Sequence, residues 1–409
     1  MRVVSAPDAA REIAATVPVQ PSLRMPLLDA RGHVLAEDIT AAIALPPWTN
    51  AGMDGYAVHA ADVRGATPAA PVRLLVSASI AAGDSSKLAL ASGEAARIFT
   101  GAALPTGADT VIRQEDTVRD GAAVLVQRDR DAGANVRRAG GDLALGERAL
   151  EAGTVLGPHQ IALLAALAVA HPVVHRRPRV GILTSGDEIV SFDRPEEILS
   201  GRRLGDANSP ALAALVEAAG AIAVPLGIAR DDAAALERLV RAADDVDLLI
   251  TAGGVSVGEH DHVRTVMASC GVRTVFDRVR MRPGGPAAFG VFPDGRPWLA
   301  LPGNPVSAMV TFELFGRAAI RAMAGHRHPG RRPTRAILRD EIRRDATLDQ
   351  YVRCTFAWPD DGTPPVATLT GPQGSGMLMS LVRAAGLAII PAGDDALPAG
   401  SFVEALLFD

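Results

Sequence analysis

Two grammars of apolar and polar positions divide the chain. From residue 41 to about 139, short apolar runs at 72–76, 96–99, 110–114 and 123–126 are separated by Gly and Pro, which predicts a small β-rich domain. Beyond Arg176-Arg177-Pro178 the grammar becomes βα: strand 180–183, helix 210–219, strand 221–225, helix 233–243, strand 248–251 and helix 263–270. Strands near 275–281 and 297–301 and a helix over 306–315 follow. Alternation of this kind predicts an open parallel sheet with helices on both faces. Ser209 reads as the N-cap of the 210–219 helix, with Pro210 in its first turn and Gly220 past its end. Before the β-rich region an amphipathic N-terminal stretch and a short helix over 27–40 are expected. After it, 142–170 returns to helix, with Pro158 suited to a first turn. Residues 326–333, rich in His, Arg, Gly and Pro, read as a linker, and the remaining C-terminal residues as a small all-β domain.

A length of 409 residues exceeds what one hydrophobic core usually serves, so two to four domains are expected. Hydrophobic residues at 48% and charged residues at 21% exclude disorder as a reading of the whole. The net charge of −5, without a polybasic tail, argues against nucleic acid and for a small-molecule partner. Lys87 is the only lysine among 41 basic residues, so any cationic chemistry falls to arginine. Cys270 and Cys354 are too few for a disulfide framework or a four-ligand zinc site, which suits a reducing compartment. No secretory h-region is visible, and the longest apolar run, 161–170, is too short to span a bilayer. A cytoplasmic protein with no membrane partner is expected.

In an open α/β sheet, ligands bind beyond the carboxyl ends of the strands. Three glycine-bearing loops fall there: Thr184-Ser185-Gly186-Asp187-Glu188, the 251–261 segment TAGGVSVGEHD, and the 301–307 segment LPGNPVS. Glycine lets backbone N–H groups approach a ligand and a helix N-terminus favours phosphate, so the second and third loops suit an anionic group. Neither a Walker A sequence nor a G-x-G-x-x-G fingerprint is present, which counts against ordinary NTPase and dinucleotide readings. Glu259-His260-Asp261-His262 invites a metal reading, but consecutive helical residues point to different faces and do not converge on one ion. Glu188 and Asp261 each offer an oxygen at the mouth of a different strand, the donor type Mg²⁺ takes together with substrate phosphates. The β-rich region has dense segments of its own around Met53-Asp54-Gly55-Tyr56-Ala57 and over 99–109, where Asp109 reads as a turn residue.

The ordered set MDGYA (53–57), TGAALPTGAD (100–109), Arg137 with Gly140-Gly141-Asp142, TSGDE (184–188), GGVSVGEHD (253–261), RPGGP (282–286) and LPGNPVSA (301–308) resembles the MoeA family of molybdopterin molybdenumtransferases, which includes the gephyrin E domain. The resemblance extends from about residue 10 to the C-terminus, where QGSG (373–376) and Ser380 also match. It implies an α/β multidomain fold: a central Rossmann-like (MogA-like) parallel-sheet domain over 176–325, a β-rich inserted domain over 42–141, a helical and extended domain from 1–41 plus 142–175, and a small C-terminal β-barrel over 326–409. It implies a homodimer whose cleft joins the central domain of one subunit to the β-rich domain of the other. The implied reaction is insertion of molybdate into adenylylated molybdopterin with release of AMP.

By the same resemblance Asp54, Thr100, Asp142, Glu188, Asp231, Asp261, Arg278 and Arg282 are carried over as polar active-site positions, with Glu188 and Asp261 the candidate Mg²⁺ ligands. Thr184, Gly186, Gly253, Gly254, Ser256, Gly258, Pro302, Gly303, Asn304, Pro305, Ser307, Arg353 and Ser375 are the implied pterin-binding positions. The family's lysine-rich segment is here Arg278, Arg282 and Gly285, and its acidic residue before Asp142 is Gly141. Arginine keeps the charge but binds oxyanions through a planar fork, whereas Gly285 loses it. An adenylyltransferase sharing the central domain would need neither the β-rich insertion nor the C-terminal β domain. A non-catalytic pterin-binding scaffold is the remaining alternative, against which the retained acids stand.

Overall fold

The computed structural model describes residues 2–84, 88–230, 232–254 and 262–408. Two compact units are present, one of residues 38–151 with 163–169 and the other of the remaining chain. In the first, period-two alternation builds a six-stranded sheet in the order Thr110–Arg113, Gly55–Val58, Glu94–Ile98, Val72–Ile80, Ala123–Val126 and Thr117–Asp120. Tyr56 and Val58 pack into one apolar cluster with Leu74, Ile112 and Val124, while Ala57 joins Ile80, Ile98 and Val111 in another. Gly55 is obligatory, because a Cβ there would lie 1.9 Å from the Ile112 carbonyl oxygen. The rim is held by ion pairs: Arg113 donates from Nε and Nη2 to Asp131, each at 2.8 Å, and Arg130 pairs with Asp116.

In the second unit the central sheet runs Ile222–Ala229, Arg179–Ser185, Leu248–Ala252, Pro297–Leu301, Ala288–Val291 and Arg273–Phe276. The first four strands are parallel, and the three inner ones, Arg179–Ser185, Leu248–Ala252 and Pro297–Leu301, are nearly continuously apolar, as strands buried on both faces must be. The last two are antiparallel, so the sheet is mixed where a purely parallel one was expected. The 275–281 run does not form one strand; it breaks into the ends of Arg273–Phe276, Arg278–Val279 and Met281–Arg282. The Pro305–Thr311 helix continues through a π turn at Phe312–Gly316 into Arg317–Met323, well past the expected end. Ser5 caps the N-terminal helix Ala6–Thr16 by accepting from Asp8 N, and that helix packs on Arg317–Met323.

The C-terminal region closes into a five-stranded barrel, Asp349–Ala357, Val366–Leu369, Thr334–Leu338, Phe402–Leu407 and Gly386–Ile390, the last pairing back to the first. Met281–Arg282 adds to its edge beside Asp349 and Gln350, tying barrel to central domain.

Two helical expectations are corrected. Residues 27–40 form turns and short bridges, because Pro26 starts a turn and Gly32 adopts a φ of 80° that ends any helix, after which Val34 and Leu35 bridge to Val155 and Val174. Within 142–170 the helix covers Pro158–Ala166, and the residues before it are extended and turn, interrupted by Gly146 and Gly153 at φ 80° and 83°. Ser209 is not the cap of its helix; Asn208–Ala218 begins earlier and is capped from Asp206. Gly220, at φ 95°, terminates it as expected. Among the described residues no helix is long and apolar enough to cross a membrane.

The Asp131 carboxyl, bonded chiefly by the Arg113 side chain, is held down at about 2 against an ordinary 3.8. Its contribution is therefore present above about pH 4 and lost as pH falls towards 2, on the order of 1–2 kcal/mol once the one-third exposure of Arg113 is allowed for. Asp131→Asn is expected to lower the neutral-pH melting temperature and flatten the acid limb between pH 4 and 2. A Tm-against-pH curve parallel to that of the unmodified protein would refute this.

Candidate active site

Chain order and strand order part company beside Arg179–Ser185, because the next strand, Ile222–Ala229, lies on one side of it and the following one, Leu248–Ala252, on the other. Loops leaving two such neighbours diverge and open a crevice. Here the crevice is a cavity of about 420 Å³ lined by Gly186, Glu188, Gly253, Gly254, Pro302, Gly303, Asn304 and Pro305, with Ser185, Asp206 and Asn208. Three loops meet without side chains between them. A Cβ on Gly253, at φ 98°, would stand 2.5 Å from the Ser185 carbonyl oxygen, and one on Gly303 would stand 3.3 Å from Gly253 Cα. Only glycine lets the backbones approach this closely.

A buried polar network underlies the cavity. Asp206, 5% exposed, accepts from Asn208 N at 2.9 Å and Ser209 N at 3.1 Å through Oδ1, and from Thr184 Oγ1 at 3.0 Å and the Ser209 hydroxyl through Oδ2. Asn208 Nδ2 donates to Gly303 O at 2.8 Å, tying this network to the LPGNP loop. Asn304 Nδ2 donates to Ser375 Oγ at 3.1 Å, and Val306 N to Ser375 O at 3.2 Å, so the C-terminal barrel closes on the same loop. Two buried oxygens, Ser185 Oγ and Asn208 Oδ1, have no hydrogen-bond partner among the described residues. Orphaned buried polar atoms are costly unless a ligand or ion satisfies them. Pro305 opens its helix at the cavity wall, presenting the positive end of the dipole.

A larger cavity of about 690 Å³ adjoins, sharing Gly186, Ile189 and Asp206, with Phe192, Pro225 and Ile228 as apolar wall and Arg203 and Arg230 as cations. A third, of about 260 Å³, is lined by Arg282, Pro283, Gln350, Arg353 and Gln373. Arg353 is 1% exposed; its Nε donates to Ser380 Oγ at 3.1 Å and its Nη2 to Gly374 O at 3.0 Å. Burial lowers its pKa from the ordinary arginine value, so an anion arriving beside it restores the charge balance.

In the β-rich unit, Asp54 Oδ1 accepts from Thr100 N at 2.8 Å and from Thr100 Oγ1 at 2.7 Å. Those bonds, backbone first, hold the carboxyl below its ordinary value, with Arg97 adding attraction. Asp142 is exposed and fixed by its backbone N–H to Leu45 O at 2.9 Å. The segment that holds it also bonds the 101–104 loop, through Gly101 N to Ala51 O and Leu104 N to Thr49 O.

The sequence-derived residues therefore sort plainly. Glu188, Gly186, Gly253, Gly254, Pro302, Gly303, Asn304 and Pro305 share one cavity, with Ser375 bonded to it, and Thr184 lies directly beneath. Arg282 and Arg353 share the smallest cavity, and Asp54 and Thr100 are bonded to each other. Ser307 is buried inside its helix, outside the cavity lining. Arg278 lines none of the three cavities and pairs in a short strand with Val3. Asp231, Ser256, Gly258 and Asp261 lie outside the described residues. The Gly285 carbonyl accepts from Val279 N at 2.9 Å in a tight turn, where a Cβ would come 3.2 Å from Met281 O. Sequence reasoning missed Asp206 and Asn208, and had Ser185 only as a member of its glycine-bearing loop. The signal was available for Asp206: an acid four residues before Pro210 is placed to cap a helix starting earlier than Ser209.

Three adjoining stretches of the chain match family descriptions: MoeA N-terminal region (domain I and II) over residues 4–168, probable molybdopterin binding domain over 181–322, and MoeA C-terminal region (domain IV) over 335–408. A Nostoc protein named molybdopterin molybdenumtransferase is 37% identical over 382 residues, 92% of this chain and 86% of that protein. The chain belongs to the MoeA family of molybdopterin molybdenumtransferases. A second family member, molybdopterin molybdenumtransferase 2 of Mycobacterium tuberculosis, is 37% identical over 375 residues, 90% of this chain and 91% of that one. The crystal structure of the MoeA molybdopterin biosynthesis protein from Pyrococcus horikoshii OT3 superposes with a TM-score of 0.85 at 27% identity, covering 100% of both chains. The MoeA fold thus accounts for both units of this chain.

Two outcomes test the site's construction. Asp206→Ala is expected to destabilise by about 1–3 kcal/mol, through a lost cap and stranded hydroxyls, in chemical denaturation; an unchanged midpoint would show that the network carries no weight. Thr100→Val is expected to raise the Asp54 titration midpoint towards the ordinary carboxylate range, read by carboxyl carbon NMR. A midpoint that stays put would mean Thr100 Oγ1 does not hold the charge.

Proposed function

We propose that this chain inserts molybdate into adenylylated molybdopterin and releases AMP, the last step of molybdenum cofactor synthesis. As a family member it is a transferase of molybdenum cofactor biosynthesis. One observation carries the finer reading: the glycine-walled cavity sets two orphaned oxygens and Glu188 beside a helix N-terminus, the surroundings a phosphate with a cation requires. Phosphate-bond cleavage needs positioning and charge neutralisation more than covalent help. The Gly253, Gly254 and Asn304 loops position the phosphates, and the adjoining cavity, with its apolar wall and Arg203 and Arg230, accepts a flat heterocycle.

Mg²⁺ suits the donors. Glu188, Ser185 Oγ and Asn208 Oδ1 are all hard oxygens, and among the described residues no group of three or more His, Cys, Asp or Glu forms a complete cage. When bound, the ion neutralises phosphate charge. Asp261 as second carboxylate, and the roles of Asp231, Ser256, Gly258 and Arg278, rest on the sequence motifs alone.

We assign the oxyanion substrate to the cavity between Arg282 and Arg353. Arg353 is buried with a hydroxyl and a carbonyl as its side-chain partners, so a tetrahedral dianion supplies the countercharge. Asp54, Thr100 and Asp142 belong to the same reading as polar groups of the β-rich unit, as do a homodimer and a cytoplasmic setting, which the two free cysteines suit.

Purified protein given adenylylated molybdopterin, molybdate and Mg²⁺ is expected to release AMP in proportion to cofactor formed; no molybdate-dependent AMP would overturn the reading. Glu188→Gln is expected to slow AMP release on the order of 10²-fold at unchanged Tm. Arg282→Gln is expected to raise the molybdate concentration for half-maximal rate more than that for the pterin substrate, and equal effects on both would move molybdate elsewhere.

A further inference from the structure

Given the oxyanion assigned to the cavity between Arg282 and Arg353, we infer that Gln373 is its positioning residue: the side-chain amide replaces a missing strand partner and fixes Arg353 before the anion arrives. Arg353 lies on the strand Asp349–Ala357, which on one side pairs with Gly386–Ile390, Arg353 opposite Leu387. On the other side the strand Val366–Leu369 ends at the pair of Leu369 with Cys354, one residue short of Arg353. Thr370 N still reaches Arg353 O at 3.1 Å, but Gly371, at φ 112°, then turns the chain away. A buried N–H left there without an acceptor is costly. Gln373 supplies the acceptor. Its Oε1 accepts from Arg353 N at 2.8 Å, while its Nε2 donates to Arg353 O at 3.2 Å and to Gly371 O at 2.9 Å.

Those partners admit one orientation of the amide. Turned over, it would set Nε2 against an N–H and its oxygen against two carbonyls. They also occupy it, because the oxygen already faces a donor and both N–H bonds of Nε2 face carbonyls. Gln373 therefore lines the cavity with its donors already engaged, and its part is to hold Arg353, not to bind the anion.

The guanidinium is held from the same segment. Gly374, the next residue, accepts from Arg353 Nη2 through its carbonyl, and Ser380 Oγ accepts from Nε. Thr370 Oγ1 donates to Arg353 O at 3.2 Å and to Ser380 O at 2.7 Å, so residues 370–380 grip both the backbone and the head of one arginine. A long side chain ordered before its ligand arrives adds no ordering cost to binding. Removing the amide bonds loosens the 371–374 turn, and with it the Gly374 carbonyl that aims the guanidinium.

Calorimetric titration of the full-length protein with sodium molybdate tests this role. Gln373→Met keeps the length of the side chain, removes all three bonds and is expected to raise the molybdate Kd about tenfold. In AMP release it is expected to raise the half-maximal molybdate concentration and to leave that for the pterin substrate unchanged. Thr370→Val, which removes only the two hydroxyl bonds, is expected to raise Kd about threefold and carries the test if Gln373→Met does not fold. Ile342→Val, a truncation in the barrel core outside the cavity lining, is expected to lower Tm at unchanged Kd, which separates positioning from stability. Arg353→Gln is expected to weaken binding more than any of these. No molybdate binding by the unmodified protein, or a Kd unmoved by Arg353→Gln, would remove the oxyanion assignment and the role of Gln373 with it. A Kd that moves with Arg353→Gln but with neither Gln373→Met nor Thr370→Val, or that Ile342→Val raises as much, would overturn the role of Gln373 alone.

Discussion

Close approach of bare backbone at the carboxyl ends of the parallel strands is the constraint on which the site depends. Ser185, Gly253 and Gly303 belong to three loops that converge within contact distance, and a methyl group on Gly253 would collide with the Ser185 carbonyl. That approach forms the floor of the cavity and delivers the Pro305 helix terminus to its wall. It also explains why Asp206 is buried. Its carboxylate gathers Thr184, Asn208 and Ser209 into one hydrogen-bonded unit, and Asn208 then reaches the Gly303 carbonyl. The helix cap and the cavity floor are therefore a single structure, in which neither part is set independently of the other.

Anion recognition in a chain of net charge −5 has to be local. The proposed site has two devices suited to it. One uses backbone dipoles and helix termini where the glycine loops meet. The other uses arginine withdrawn from solvent, as at Arg353, whose guanidinium is held by Ser380 and the Gly374 carbonyl. Burial works against the charge, and the balance is restored when an oxyanion arrives, so affinity is gained where water is already excluded. Arginine suits this role because its fork satisfies two oxygens at once and its charge survives desolvation that would neutralise lysine. The near absence of lysine is in this sense compatible with the chemistry.

Much of the architecture was legible in the pattern of residues. The β-rich strands, the parallel core strands and the Gly220 helix stop follow from periodicity and from glycine's access to positive φ. What periodicity did not show was decided by long-range pairing. The 27–40 stretch carries helix-compatible residues, yet Val34 and Leu35 are taken by Val155 and Val174, more than a hundred residues away. Ala288–Val291 reads as a short apolar run of no definite type until it pairs antiparallel with Pro297–Leu301, Ala288 opposite Ala300 and Phe289 opposite Leu299. The candidate site divides in the same manner. Loop glycines and Glu188 were visible as motif residues, whereas Asp206 showed only as a helix-cap signal, because Thr184, the partner that ties it to the site, is brought to it by the fold.

The departure at Gly285 has a physical reading that composition alone did not supply. Arg278 and Arg282 preserve charge in an arginine-rich chain, but residue 285 sits in a turn whose carbonyl is engaged by Val279 N, with the Met281 and Val279 carbonyls 3.2 and 3.4 Å from where a Cβ would be. A side chain there has to displace backbone that also positions Arg282 against the barrel strand at Gln350. Glycine relaxes that turn at the cost of one cation. The buried Arg353 lines the same cavity from the barrel side, so the site proposed for the oxyanion keeps two guanidinium groups from two different elements, and the loss of a third charge does not dismantle the pocket.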